Sequence, residues 1–322
     1  MIDLVTALLL VAAFAFAVSI GAHYTGACMG MPHAAGAIRT GPALAIMAVL
    51  AFVGAAIASE GVETTVGHGI LGGARIALGL ALTIVASALL LTSAYNFLTL
   101  PTSTIQILVF SAVGVGLGAG VPVHWATIGT LLGLWAVAPF AAFALGFLYV
   151  RSADRLRPAP VGASRGSSLS RTAAAGLVAV GAAASFAMGA NDVANASGAL
   201  VMTGVVGLAP AAVLGGLGLG VGVVTWGRPL LRRVAFYLVV LDARMATTAQ
   251  LAQATVILGS VAFGLFTSMN QALVGAMIGT GMARGQSTVL WPTVRGILVG
   301  WAVGPVSGLA LGFALAVGTH SL

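Results

Sequence analysis

SFAMGANDVANASGAL, residues 185–200, sets one carboxylate and two carboxamides inside a run of small and apolar side chains. Asp192 lies far from any basic loop. A carboxylate at membrane depth costs several kcal/mol or more unless it is hydrated, paired or bound to a cation. The surrounding composition identifies lipid as the solvent. Of 322 residues, 60% are hydrophobic and only 6% charged, against about 25% charged in an ordinary soluble domain. The 45 glycines, about 14% of the chain, are roughly twice the usual share, and small residues are what close helix–helix packing in lipid requires. Soluble enzymes, nucleic-acid modules and disordered chains are excluded. Backbone exposed to lipid must satisfy its own hydrogen bonds, and no alternating strand pattern is visible, so the expected fold is an all-α polytopic membrane protein.

Within this stretch Asp192 is flanked by Asn191, and Asn195 stands three residues further on. On a helix Asp192 and Asn195 share a face, so three side-chain oxygens converge on one point. Hard cations bind such oxygens, and a buried carboxylate can instead carry a proton. The plainer alternative is a helix N-cap at the water boundary; the apolar sequence on both sides speaks against it.

Outward from this motif, apolar stretches run over residues 4–20, 41–58, 70–92, 104–150, 172–190, 199–225, 233–241, 249–282 and 289–318. Several exceed one span of about 20 residues, and Gly and Pro interrupt others. About ten crossings are expected, some of them discontinuous or re-entrant. The N-terminus, MIDLVTALLL, has an acid and no basic n-region, so it reads as the first membrane segment. All thirteen basic residues are Arg, and the net charge of +7 reads as the excess of basic residues in cytoplasmic loops. Residues 151–171, RSADRLRPAPVGASRGSSLSR, hold five Arg against Asp154. They divide the chain into a first membrane repeat, 1–150, a cytoplasmic Arg-rich linker, 151–171, and a second repeat, 172–322.

The two parts repeat. WAVAPFAAFALGF from Trp135 returns as WAVGPVSGLALGF from Trp301, 166 residues later, and PTSTIQILVFSAVGVG from Pro101 returns as FTSMNQALVGAMIGTG from Phe266. GAHYTGACMG from Gly21 aligns with GANDVANASG from Gly189, 168 residues on. Two homologous membrane halves, expected to be inverted, are the architecture of a secondary transporter. Ser103 and Thr104 in the first half, and Ser268, Asn270 and Gln271 in the second, precede apolar Gly-rich runs, with Gln106 matching Gln271. Each cluster reads as the N-terminus of a helix or half-helix, whose unpaired N–H groups and dipole bind oxyanions; taken singly, each is also an ordinary cap. His23 and Tyr24 occupy the places of Asn191 and Asp192, and a titrating His23 is a candidate proton carrier, or a packed core histidine. Glu60, Glu63 and His68 form a short polar stretch expected to be solvated. The single cysteine, Cys28, excludes an internal disulfide or a cysteine-built metal site.

At GANDVANA, Gly189–Ala196, the chain resembles the inorganic phosphate transporter (PiT) family, whose signature this is. Pro101, Ser103, Thr104, Gly114 and Gly116 match a second family element, and Ser268, Gly279 and Gly281 a decayed copy of it. The first signature copy departs from the pattern, with His23, Tyr24 and Ala27 where Asn, Asp and Asn stand in the family. That degeneration, with the following MGMPHAAGAI, is similar to the bacterial sulfate-permease branch. The resemblance implies a symporter of the inner (cytoplasmic) cell membrane that takes sulfate before phosphate. Substrate contacts are expected from Ser103, Thr104, Gln106, Asn191, Asn195, Ser268, Asn270 and Gln271. The coupling ion, a proton or sodium, would be carried by Asp192 with Asn191, Asn195 and His23; sodium at Asp192 is the one metal candidate, and no cofactor is expected. Expected partners are the oxyanion and the bilayer, with a homodimer left open and no nucleic acid. An uncoupled anion channel is the competing class; an intramembrane enzyme has no metal-ligand spacing or nucleophile–base pair behind it.

Overall fold

A computed structural model describes residues 3–72, 75–100, 102–156, 169–233, 242–285 and 291–320. Pro101, most of the Arg-rich linker (157–168, with Arg157 and Arg165) and the apolar stretch 234–241 lie outside the described residues. The chain is helical almost throughout, and the only β contact among the described residues is one isolated bridge, Leu71 to Val123. The first half contains α1 (Leu4–His23), α2 (Thr25–Ala34), α3 (Thr40–Ala58), α4 (Glu60–Gly69), α5 (Leu78–Leu98), α6 (Thr104–Ala119) and α7 (Trp125–Leu156). The second contains α8 (Arg171–Thr203), α9 (Leu208–Arg233), α10 (Ala243–Ala262), α11 (Met269–Arg284) and α12 (Trp291–His320).

Seven stretches among the described residues are long and apolar enough to cross a membrane: α1 with α2 as one unit, α3, α5, α7, α8, α9 and the later part of α12. Hydropathy alone pointed to about ten, because long apolar runs are divided differently from simple pairs of crossings. Residues 104–150 break at Gly120, which ends α6 with φ 69°, and residues 249–282 break at Gly264, with φ 67°. Glycine meets this left-handed backbone without steric cost. The pieces so released, α6 and α11, are 16 residues each, short of a full crossing. At the edges of the Arg-rich segment, Arg151 to Leu156 continue α7 as helix and α8 begins at Arg171.

Caps fix the helix starts. Asp3 begins α1 by accepting the Thr6 N–H at 2.8 Å and the Thr6 hydroxyl at 2.9 Å, and these bonds hold its carboxyl below the usual carboxylate range. Ser103, Ser170, Asp242 and Ser268 cap α6, α8, α10 and α11 in the same way.

The halves interlock. α6 packs along α12, and α11 along α7; α1 packs on α9, and α8 on α3. These crossings are backbone to backbone. A Cβ on Gly189 would overlap the Ala51 carbonyl oxygen, and one on Gly21 would overlap that of Leu219. Likewise Gly114 meets the Leu309 carbonyl, and Gly279 that of Phe143. In each pair the second contact repeats the first with the halves exchanged. Large apolar side chains such as Phe97, Phe140 and Phe263 face outward at 75%, 75% and 83% exposure, while Asn, Gln, Ser and Thr fill the centre. This polar-inside distribution suits a bilayer surround.

Candidate functional site

α8 passes through the centre unbroken, and its Asn191, Asp192 and Asn195 are fully buried. Asn191 donates to Asp192 Oδ2 at 2.9 Å, and Asn195 donates to Asp192 Oδ1 at 3.3 Å. Both carboxylate oxygens therefore face amide donors. Asn191 also joins the start of α11: it donates to the Thr267 carbonyl at 2.8 Å and accepts the Thr267 N–H at 3.0 Å. Asn195 reaches the other short helix, donating to Thr104 Oγ1 at 3.3 Å.

The matching helix of the first half is broken at Tyr24, between α1 and α2. The break presents two side chains to the centre. The Tyr24 hydroxyl lies 2.9 Å from Thr104 Oγ1. His23 Nε2 lies 3.1 Å from the Thr102 carbonyl, the counterpart of the bond that Asn191 makes to Thr267. Its Nδ1 is 2.6 Å from Asn96 Oδ1. The Asn96 amide donates to the Ser19 carbonyl at 2.8 Å and to Ser19 Oγ at 3.0 Å, so Oδ1 is an acceptor and Nδ1 carries a proton. The Asn270 amide stands 3.3 Å from Nε2 and donates to the Thr102 carbonyl at 2.7 Å. A neutral ring accepts from Asn270 at Nε2; a cationic ring donates there to Thr102. His23 has partners for either protonation state.

Ser103 and Ser268 act as caps, accepting the N–H of Gln106 and Gln271 at 3.4 and 3.3 Å. The side chains of those two glutamines meet reciprocally at 3.3 and 3.2 Å. The N-termini of α6 and α11, one from each half, thus converge, and the glutamine pair lines an open cavity of about 430 Å³ with Trp135, Trp301 and Pro305. Every side chain singled out from the sequence, namely His23, Ser103, Thr104, Gln106, Asn191, Asp192, Asn195, Ser268, Asn270 and Gln271, is buried at this convergence.

Several partners were not legible beforehand. Thr102 Oγ1 and Thr267 Oγ1, equivalent in the two halves, are buried without a hydrogen-bond partner, as is Asn195 Oδ1. On α10, Gln253 donates to the Met269 carbonyl at 3.2 Å and Gln250 to the Cys28 carbonyl, while the Oε1 of each is unpartnered. Their i, i+3 spacing in an apolar helix was the available signal. Glu63 corrects the expectation of a solvated stretch: it is fully buried and bonded to Ser197, whereas Glu60 is exposed. Its polar neighbours in sequence, Thr64 and His68, gave the opposite impression because they are exposed on the outer face of α4.

Chemically, the centre offers hydroxyl and amide donors at two helix N-termini, beside a carboxylate and an unpartnered amide oxygen. The first set suits an oxyanion; the second suits a hard cation or a proton. Among the described residues no three His, Cys, Asp or Glu side chains group as a metal site.

Comparison with known proteins gives one family model, described as the phosphate transporter family, matching residues 20–312. The sulfate permease CysP of Bacillus subtilis is 29% identical over 303 residues, covering 93% of this chain and 84% of its own. A protein of Pyrococcus horikoshii described as a phosphate permease is 28% identical, with 96% and 97% coverage. A solved structure, the sodium-dependent phosphate transporter, superposes with a TM-score of 0.86 at 21% identity, over 99% of this chain and 100% of that one.

Proposed function

This chain belongs to the phosphate transporter family, and on that premise we propose that it is a symporter of a tetrahedral inorganic oxyanion, sulfate before phosphate, in the cytoplasmic membrane. The observation that carries the reading is the meeting of the α6 and α11 N-termini beside Asp192, with Thr102 and Thr267 hydroxyls buried and unpartnered. The anion would take donors from Thr104, Asn270, Gln106 and Gln271. Asp192 would carry the coupling proton or sodium, with Asn195 Oδ1 as a second oxygen. A bound cation offsets the carboxylate charge near the anion, so the two ligands bind with positive coupling. The exchanged contacts of the two halves support inverted repeats that rock against each other to alternate access.

Sulfate is favoured by chemistry. It has no proton to give at neutral pH, so its site should be built of donors, and Tyr24 replaces a carboxylate with a hydroxyl donor. The phosphate reading rests on Asp192, whose carboxylate can accept a hydrogen bond from hydrogen phosphate, and on the Pyrococcus relative. Uptake of labelled sulfate and phosphate into proteoliposomes, under a pH gradient and separately under a sodium gradient, decides between them. Asp192→Asn is expected to abolish gradient-driven accumulation of whichever anion is carried. Normal accumulation by that variant would overturn the coupling role, and downhill flux without accumulation in the unaltered protein would overturn symport in favour of an uncoupled pathway such as a channel.

A further inference from the structure

Glu63 is the second buried carboxyl group of the molecule, and the site described above does not use it. It lies on α4, which packs on α8: Gly67 faces Val201, and Val66 faces Gly198. Its Oε1 is 2.6 Å from Ser197 Oγ, and that same hydroxyl is 2.8 Å from the Val193 carbonyl, one turn back on α8. A serine hydroxyl has one hydrogen, yet two oxygen acceptors stand at bonding distance. Three other buried helical serines, Ser87, Ser185 and Ser260, give that hydrogen to the carbonyl four residues back at 2.7–3.0 Å, whereas Ser19 and Ser111 do not. If Ser197 does the same, the short contact to Glu63 needs a hydrogen from Glu63 itself. The other carboxyl oxygen, Oε2, is buried with no partner. A neutral acid tolerates one unpartnered oxygen far better than an ion does.

Among the described residues no cation is paired with Glu63. On its own helix the titratable groups are Glu60 and His68. On α8 the nearest is Asp192, five residues from Ser197 or about 7.5 Å along the axis. On α9 the part near Ser197 is Gly215, while Arg228, Arg232 and Arg233 lie at the far end. On α10, α4 meets the end at Val261 and Gly264, and Arg244 lies at the opposite end. Arg75 sits against Gly204, beyond the end of α8. No ion pair involving Glu63 occurs among the described residues.

We propose that Glu63 is a proton-binding site of the transport cycle: its carboxyl holds a proton while α4 is closed on α8 and releases it to water when that interface opens. The O–H bond breaks, the proton leaves to solvent, and the carboxylate then exposed is hydrated. No electrons are transferred. Because Ser197 and Asp192 share one rigid helix, the movement that exposes one carries the other. The protein then moves a proton at Glu63 in addition to the cation at Asp192. The proposal rests on the symport reading above.

Two measurements separate the inference from that reading. Infrared difference spectra of the full chain at neutral pH, unaltered against Glu63→Gln, should show the carbonyl stretch of a neutral carboxylic acid in the unaltered protein only. Ser197→Ala should shift that band by removing its hydrogen-bond partner. A carboxylate band in its place, or no effect of Ser197→Ala, overturns the assignment whether or not the protein transports anything. In proteoliposomes, Glu63→Gln keeps the shape of the neutral acid but cannot release a proton. Accumulation of labelled sulfate or phosphate driven by a pH gradient should fall at least ten-fold more than counterflow exchange of the same anion. Equal loss of both in folded protein, or accumulation as in the unaltered chain, overturns the proton-carrier role. Absence of both activities in the unaltered protein refutes the symport reading instead, and leaves the infrared result to decide the protonation of Glu63.

Discussion

Asn191 pairs both ends of its carboxamide with the backbone of one residue, the N–H and C=O of Thr267, at 3.0 and 2.8 Å. Among the described residues no second side chain bonds the Thr267 N–H, so Asn191→Ala leaves two buried backbone groups without these partners at the entry to α11. Each such group costs about 1–3 kcal/mol. We expect a loss of about 2–6 kcal/mol, read as a lower thermal midpoint in detergent, together with weaker anion affinity in uptake assays. Melting unchanged from the unaltered protein would mean that Asn191 serves the ligand alone. Asp192 and its two asparagines were legible in the sequence because a carboxylate with apolar sequence on both sides points to burial beside partners more than to a helix N-cap. Glu63 was hidden by its neighbours: α4 carries polar side chains on its outer face, and sequence polarity averages over faces that packing separates. Thr102 and Thr267 were quoted with the caps around them, but only coordinates show that their hydroxyls lack a partner.

Among the elements, α6 and α11 announce themselves by Ser103 and Ser268 ahead of glycine-rich runs, and both begin where the caps predict. What the sequence leaves undetermined is which helix each short piece meets. The partner comes from the opposite half, and glycines set the approach. Gly279→Val would drive a branched side chain into the Phe143 carbonyl and separate α11 from α7. Overpacking of this kind costs about 1–3 kcal/mol, and backbone contact leaves little room to relax. That variant should give little monodisperse protein and no uptake. Gly259 on α10 is the contrast, exposed and with nothing near an added Cβ. Gly259→Ala should retain uptake and gain up to about 1 kcal/mol from helix propensity. A well-folded Gly279→Val variant in chromatography would show that α11 and α7 are not held by backbone contact. Span counting is least informative on the same elements, because hydropathy registers apolar length and not the left-handed turns at Gly120 and Gly264 that cut it.

Over the whole molecule, the repeat is visible in sequence as three aligned pairs, but the exchange of partners between halves is a property of the assembled chain. It also has an ionic expression at one end. Asp154, in the last turn of α7, accepts from Arg244 at the start of α10 at 2.7 Å and from Arg284 at the end of α11 at 2.6 Å; Arg284 also approaches Asp242 at 3.5 Å. One first-half carboxylate thus ties two second-half helices, where the sequence suggested only a solvated basic linker. All these side chains are partly exposed, Asp154 at 27%, so each pair is worth at most about 1 kcal/mol. Asp154→Asn should therefore lower stability by about 0.5–2 kcal/mol at low ionic strength. The deficit should shrink as salt screens the pairs in the unaltered protein, over a Debye length near 10 Å at about 0.1 M. Thermal unfolding of both proteins across a salt series reads the difference directly. A constant deficit across the series would mean that Asp154 acts through hydrogen-bond geometry at the helix ends. Convergence at high salt, with anion affinity unchanged throughout, would mean that the ion pairs set how firmly α7 holds α10 and α11. In that case Asp154→Asn should also alter the rate of uptake without altering the affinity.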